Sequence, residues 1–177
     1  MANTKPSSTF LGISSGDTWT YATRVATTSG TTVDFTGLPS GARKIFVDLN
    51  GVGNTGDALL NLTIGDSGGL ETSGYISTAF GTNGTGGVDA ELLTSGFALI
   101  GKSGYFDTNT LLHGILELTL VNESTEGWAM SGLLGTSNNP FNVSAGTKTL
   151  SGELDRLRIT LSTGAFDAGS IGVVSET

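Results

Sequence analysis

Between Thr31 and Gly65 the chain alternates apolar and polar residues in successive runs, each closed by turn chemistry. Val33 and Phe35 alternate with polar neighbours, and Leu38-Pro39-Ser40-Gly41 follows as a turn, where proline presets φ and glycine tolerates φ > 0. Ile45, Val47 and Leu49 then form a period-2 face, with Lys44, Phe46 and Asp48 opposite. Asn50, Gly51, Gly53, Asn54, Gly56 and Asp57 make a loop of residues that accept a left-handed backbone. Beyond it Leu60, Leu62 and Ile64 point inward, and Asn61 and Thr63 outward. A helix would scatter this pattern around its circumference, so the run predicts an antiparallel meander of about two or three strands.

The remainder follows the same rule. Charged residues make up only 14% of the chain and glycine contributes 28 of 177 residues, against usual shares of about 25% and about 7%. Small polar groups therefore replace surface charge, and turns punctuate short strands. No window of helical length holds an i, i+3, i+4, i+7 apolar stripe free of glycine, and the best helical candidate, Val88 to Leu93, is too short to stand alone. Strands are expected at Trp19–Thr27, Tyr75–Phe80, Phe97–Ile100, Leu111–Val121, around Trp128 and Met130, and at Thr147–Leu150, Leu154–Leu161 and Ser170–Val174. About nine to eleven short strands at regular spacing predict an all-β fold, an antiparallel β-sandwich of jelly-roll-like form. The length suits a single domain: residues 1–25 form an arm and first strand, and residues 26–177 form the sandwich. Gly65–Thr72, Gly81–Gly87 and Asn138–Gly146 are read as loops.

Charge and cysteine content exclude several functions. The net charge is −8, and the few basic residues cluster only at Arg43-Lys44 and Arg156/Arg158, so no phosphate-binding patch is expected and no nucleic-acid partner. Cysteine is absent, which removes disulfides and thiolate metal sites. Met1 to Ser8 lacks the basic-then-apolar pattern of a signal peptide, and no run approaches the ~20 apolar residues of a membrane span.

Three runs imitate catalytic motifs. Gly65-Asp66-Ser67-Gly68-Gly69 spells a serine-protease nucleophile motif, but the sole histidine, His113, follows the serine instead of preceding it, and a turn after Ile64 is the better reading. Gly12-Ile13-Ser14-Ser15-Gly16 matches a nucleophile elbow, yet Asp17-Thr18-Trp19 turns into a strand where the elbow needs a helix. Gly51-Val52-Gly53-Asn54-Thr55-Gly56 matches a dinucleotide fingerprint, but a strand follows it, so a hairpin loop is expected. One histidine cannot build a zinc site, and no twelve-residue calcium loop is present, so neither metal nor cofactor is expected. The carboxylates Asp57, Asp66, Glu71, Asp89, Glu91 and Asp107 lie in or near loops, where two at suitable separation would suit glycoside hydrolysis. No catalytic residue is assigned, and no enzymatic activity is expected. Among the aromatic residues, Trp128 alternates with small neighbours and belongs to the core. Tyr75 and Tyr105 each follow a glycine near a loop and are the candidate surface binding residues, although packing is the favoured role for both.

The run from Asp34 to Gly65, with its DFTGLPSG opening, basic pair, Asn50-Gly51-Val52 and closing Ile64-Gly65, resembles a β-rich module of bacteriophage tail fibres and other external virion proteins. Leu154 to Ile159, Phe166-Asp167-Ala168-Gly169-Ser170-Ile171, Gly74-Tyr75-Ile76-Ser77 and Trp128 extend the resemblance from about Ala26 to Glu176. It implies a place of work on the outside of a virion, reached by assembly in the bacterial cytoplasm, and a homotrimer that buries its edges against symmetric copies. Two functions are expected from it. The first is a capsid decoration or exterior-assembly subunit, for which the short polar stretch ahead of the module, Met1 to Thr9, would serve as a docking arm. The alternative is a tail-fibre or head-fibre adhesin that shows its loops to a host surface glycan.

Overall fold

The computed structural model describes residues 17–83, 85–138 and 140–177. The arm Met1–Thr9 and the elbow-like Gly12–Gly16 lie outside the described residues. Where the sequence alternates, the backbone is extended. The strands are β1 (Trp19–Tyr21), β2 (Val25–Ala26), β3 (Thr32–Thr36), β4 (Lys44–Asn54), β5 (Leu60–Asp66), β6 (Gly69–Leu70) and β7 (Ile76–Thr82). They continue as β8 (Val88–Leu93), β9 (Phe97–Ala98), β10 (Leu112–Asn122), β11 (Gly127–Thr136), β12 (Phe141–Thr149), β13 (Arg156–Leu161) and β14 (Phe166–Glu176). A single 3₁₀ turn at Ser103–Tyr105 is the one helical element among the described residues. Val88–Leu93 is thus a strand and not a helix, because it pairs along its whole length with β7.

Two antiparallel sheets stack into a sandwich. The larger, nine-stranded sheet runs β1-β14-β4-β10-β11-β12-β7-β8, with β2 also on β14. The smaller, five-stranded sheet runs β3-β13-β5-β6, with β9 also on β5. Ile45, Val47 and Leu49 of β4, Leu116 and Leu118 of β10, and Ile171 and Val173 of β14 meet Leu60, Leu62 and Ile64 of β5, Leu157 and Ile159 of β13, and Val33 and Phe35 of β3 in one core. Each side chain of this kind contributes about 1.5–3 kcal/mol when fully buried. Trp128 belongs to the same core.

The expected meander is replaced by crossings between sheets. β3 and β5 flank β13 in the smaller sheet, while β4 lies between β14 and β10 in the larger one. The Leu38–Gly41 turn is an arch from one sheet to the other, tied down by Leu38 N–H on the Asp155 carbonyl (2.8 Å) and by Ser40 Oγ on Glu153 (3.0 Å). The chain crosses again from β4 to β5, and from β12 to β13 to β14, in the jelly-roll manner.

The Gly51–Gly56 run is also not a hairpin loop. β4 continues to Asn54 because both neighbours follow it, with Val52 opposite Leu112 and Gly53 opposite Ala168. Bulges on β14 accommodate this stretch, and they bring Gly169 (φ +87°) against Gly51, where a Cβ on Gly169 would stand 2.2 Å from the Gly51 carbonyl oxygen. Gly30 shares the left-handed backbone (φ +77°) but has open space around it. Gly30→Ala is expected to cost about 1–2 kcal/mol from backbone strain alone. Gly169→Ala should cost a further ~1–3 kcal/mol from overpacking, a difference measured by paired denaturant melts.

Candidate interaction face

The functional geometry starts from a buried stretch of main chain. Phe97, Ala98, Leu99 and Ile100 are all buried between the sheets, as are Tyr105 and Phe106 downstream. β5 pairs one side of this stretch, and Leu99 N–H donates to the Leu60 carbonyl (3.0 Å). Two further donors reach polar side chains on the inner face of the larger sheet: Ala98 N–H donates to Ser77 Oγ (2.8 Å) and Gly101 N–H to Asn142 Oδ1 (3.0 Å). A buried N–H without an acceptor costs about 1–3 kcal/mol, so β7 and β12 must turn these polar groups inward. Gly81 and Gly146 share that inner side, where a Cβ would run into the Tyr105 and Phe97 rings respectively.

Strand geometry then fixes what faces out. With Asn142, Ser144 and Lys148 inward, β12 presents Phe141, Val143 and Ala145 to the outside; with Ser77 and Ala79 inward, β7 presents Ile76, Thr78 and Phe80. β8 continues the inversion, with Val88 and Leu92 exposed and Asp89 and Glu91 half-buried. A row of directly opposed residues crosses the sheet on this face, Ile115, Leu133, Val143, Phe80 and Ala90. Its four large members remain 55%, 54%, 43% and 47% exposed. Beside it a shallow depression of about 370 Å³ is lined by Ile115, Glu117, Ser131, Gly132, Leu133 and Val143.

This face is almost uncharged. Among the described residues, the outward positions of β10, β11, β12, β7 and β8 hold one carboxylate, Glu117, which pairs with Lys44 at 3.8 Å, and no lysine or arginine. Charge sits elsewhere. The β4 side of the same sheet carries the Arg24–Asp48 pair, and the smaller sheet carries the bidentate Arg158–Asp34 pair (2.5 and 2.8 Å) and the Arg156–Asp155 pair (2.6 and 3.0 Å). The face is thus both apolar and charge-depleted, two features that the centres of protein interfaces share.

The residues singled out in the sequence fall mostly outside this face. Tyr75 and Tyr105 are not surface residues; both are buried, because each hydroxyl serves an internal partner. Tyr75 Oη accepts from Ile64 N–H (2.9 Å) and lies 2.9 Å from the Glu71 carbonyl, its ring meets Phe97 edge-on at 4.9 Å, and burial pushes its pKa up to about 12. Tyr105 Oη donates to Asp89 (2.6 Å), a bond that raises the phenol and lowers the carboxyl. Among the described residues, the aromatic rings that do stand outside are Trp19 and Tyr21 on β1, with Trp19 5.8 Å from Phe46, and Phe80 and Phe141 on the apolar face.

The protease-like run is the β5–β6 hairpin. A Cβ on Gly65 would lie 2.0 Å from the Gly69 carbonyl oxygen, which explains the glycine without any catalysis. His113 points outward from the larger sheet while Ser67 sits on the turn of the smaller one, so the core separates them.

Sequence reasoning missed one cluster, whose members are far apart in the chain. Ser151 Oγ lies 2.7 Å from Asp66 and 2.8 Å from Glu71, and buried Lys148 pairs with Glu71 and sits 5.5 Å from the centre of the Tyr75 ring. The one legible trace is Lys148 itself, a charge on the inward parity of β12. Glycoside hydrolysis needs one carboxyl held protonated. Here the Ser151 and Gly68 hydrogen bonds lower Asp66, and at Glu71 the bonds from Lys148 and Ser151 outweigh the upward pull of burial. Both are therefore anionic at neutral pH. No group of three or more His, Asp or Glu side chains among the described residues is arranged to hold a metal ion, and no helix among them is long and apolar enough to cross a membrane. No protein-family model matches the chain, and no curated protein or solved structure matches it either.

Two stability experiments follow from this geometry. Tyr75→Phe leaves the buried Ile64 N–H without its acceptor and should cost about 1–3 kcal/mol in denaturant melts. Glu71→Gln should cost a similar ~1–3 kcal/mol at pH 7. Because the folded Glu71 carboxyl lies below its ordinary 4.5, its contribution is complete above that pH and is lost as pH falls through the lower folded value. Melting curves of wild type and Glu71→Gln should accordingly converge as pH falls through that lowered value.

Proposed function

We propose that this chain is a non-enzymatic structural protein of the exterior of a bacteriophage particle, a capsid decoration or exterior-assembly subunit. The resemblance of Asp34–Gly65 and of the Phe166–Ile171 run to external virion modules supplies the setting. The observation that carries the assembly role is the uncharged apolar row Ile115, Leu133, Val143 and Phe80 on a chain of net charge −8. Exposing such a row serves contact between proteins and serves no chemistry. The buried hydroxyls of Tyr75 and Tyr105, and two carboxyls both held low at Ser151, fit a scaffold better than a catalyst.

The alternative, a glycan-binding adhesin, would rest on Trp19 and Tyr21, which stand exposed on the edge strand β1 beside Phe46. Incubation of the purified protein with capsids and with host cells separates the two. A decoration subunit should co-sediment with capsids at a stoichiometry fixed by the lattice, with matching density in an electron-microscopy map, and should not bind cells. Saturable binding to cells that is lost in Trp19→Ala/Tyr21→Ala would favour the adhesin, and absence from the particle altogether would overturn both readings.

A further inference from the structure

We infer that the outer face of β10, β11, β12, β7 and β8 is covered by a second copy of this chain, packed sheet against sheet. This inference rests on the assembly role proposed above and names the partner of that face. Its first support is the inversion. β12 holds Asn142, Ser144 and Lys148 inside and Phe141 and Val143 outside, so the apolar side of the strand is the side left uncovered within one copy.

The second support is charge. Each copy carries a net −8, so two copies repel except where charge is missing, and the outward positions of these five strands carry only Glu117, already paired with Lys44. A basic partner would find almost nothing to pair with there. An anionic membrane would find no lysine or arginine among the described residues of the face.

The third support is size. Five strands spaced about 4.8 Å apart, each taken over about seven residues at ~3.3 Å rise, present roughly 500 Å². Two such faces together bury about 1,000 Å², the threshold of a specific interface and short of the ~1,200–2,000 Å² of the stable ones. The sheets would stack about 10 Å apart with side chains interdigitating. The depression beside Leu133, Val143 and Gly132 offers room for an apolar side chain of the other copy.

The test is the mass of the full chain in solution, by native mass spectrometry and light scattering at micromolar concentration. The wild type should run as a dimer, at twice the 18.0 kDa of one chain. Leu133→Lys/Val143→Lys should run as a folded monomer, with association weakened by about 100-fold or more, while Thr32→Lys, on the outer side of the smaller sheet, should leave the oligomer intact. Because the chain has no cysteine, Val143→Cys offers a reporter without added charge, and its thiol labelling should slow as concentration rises. An oligomer that survives Leu133→Lys/Val143→Lys, or free labelling of Val143→Cys within an oligomer, overturns this face while leaving the assembly role standing. A wild-type monomer that decorates capsids overturns the second copy as occupant and again leaves that role. A monomer that binds no particle overturns both.

Discussion

Phe97 to Gly101 runs buried between two sheets, and β5 pairs only part of its main chain. The need to satisfy the rest shapes a large part of the molecule. Ser77 and Asn142 supply the acceptors, Gly81 and Gly146 clear the space, and Tyr105 and Phe97 fill it. Since side chains alternate along a strand, a polar and small inner face on β7 and β12 leaves the larger apolar residues on the outside. The apolar row from Ile115 to Phe80 is the outward image of an internal hydrogen-bonding requirement, extended by Leu133 and Ile115 on strands whose inner faces are ordinary core.

Most strands were legible because period-2 alternation and turn residues depend only on neighbours along the chain. β4, β5, β10 and β13 lie where Ile45–Leu49, Leu60–Ile64, Leu116–Leu120 and Leu154–Leu161 place them, within a few residues. Pairing was not legible. Alternation says which face a residue takes but not which strand lies beside it, so β3, β4 and β5 read as a meander although they belong to alternating sheets. The Asn138–Gly146 stretch read as a loop for a related reason. Asn142, Ser144 and Gly146 look like turn residues, yet they are the inward half of β12 and bind or clear buried backbone.

The candidate site was the least legible part. Tyr75 and Tyr105 stand beside glycines, which suggested exposure, but each phenol is long enough to cross the packing layer and reach a polar group on the far side. Residues 66, 71, 148 and 151 form one network only because the β5–β6 hairpin and the end of β12 meet in space. No spacing within the sequence announces it. The glycine-rich runs that imitate enzyme motifs carry information of another kind, since Gly65 and Gly169 mark backbones that approach closer than any Cβ allows.

The inverted strand β12 has a kinetic consequence. A slip of one residue against β11 and β7 would exchange its two faces, turning Phe141 and Val143 inward and Asn142 and Ser144 out. For an isolated chain collapsing in water, that misregistered arrangement hides more apolar surface than the native one does. The correct register is selected by directional bonds, Asn142 to Gly101 and Lys148 to Glu71, which form only after distant segments have already met. Folding of this sandwich therefore contains a choice that hydrophobic collapse alone would get wrong, and the strand is proofread by its polar residues.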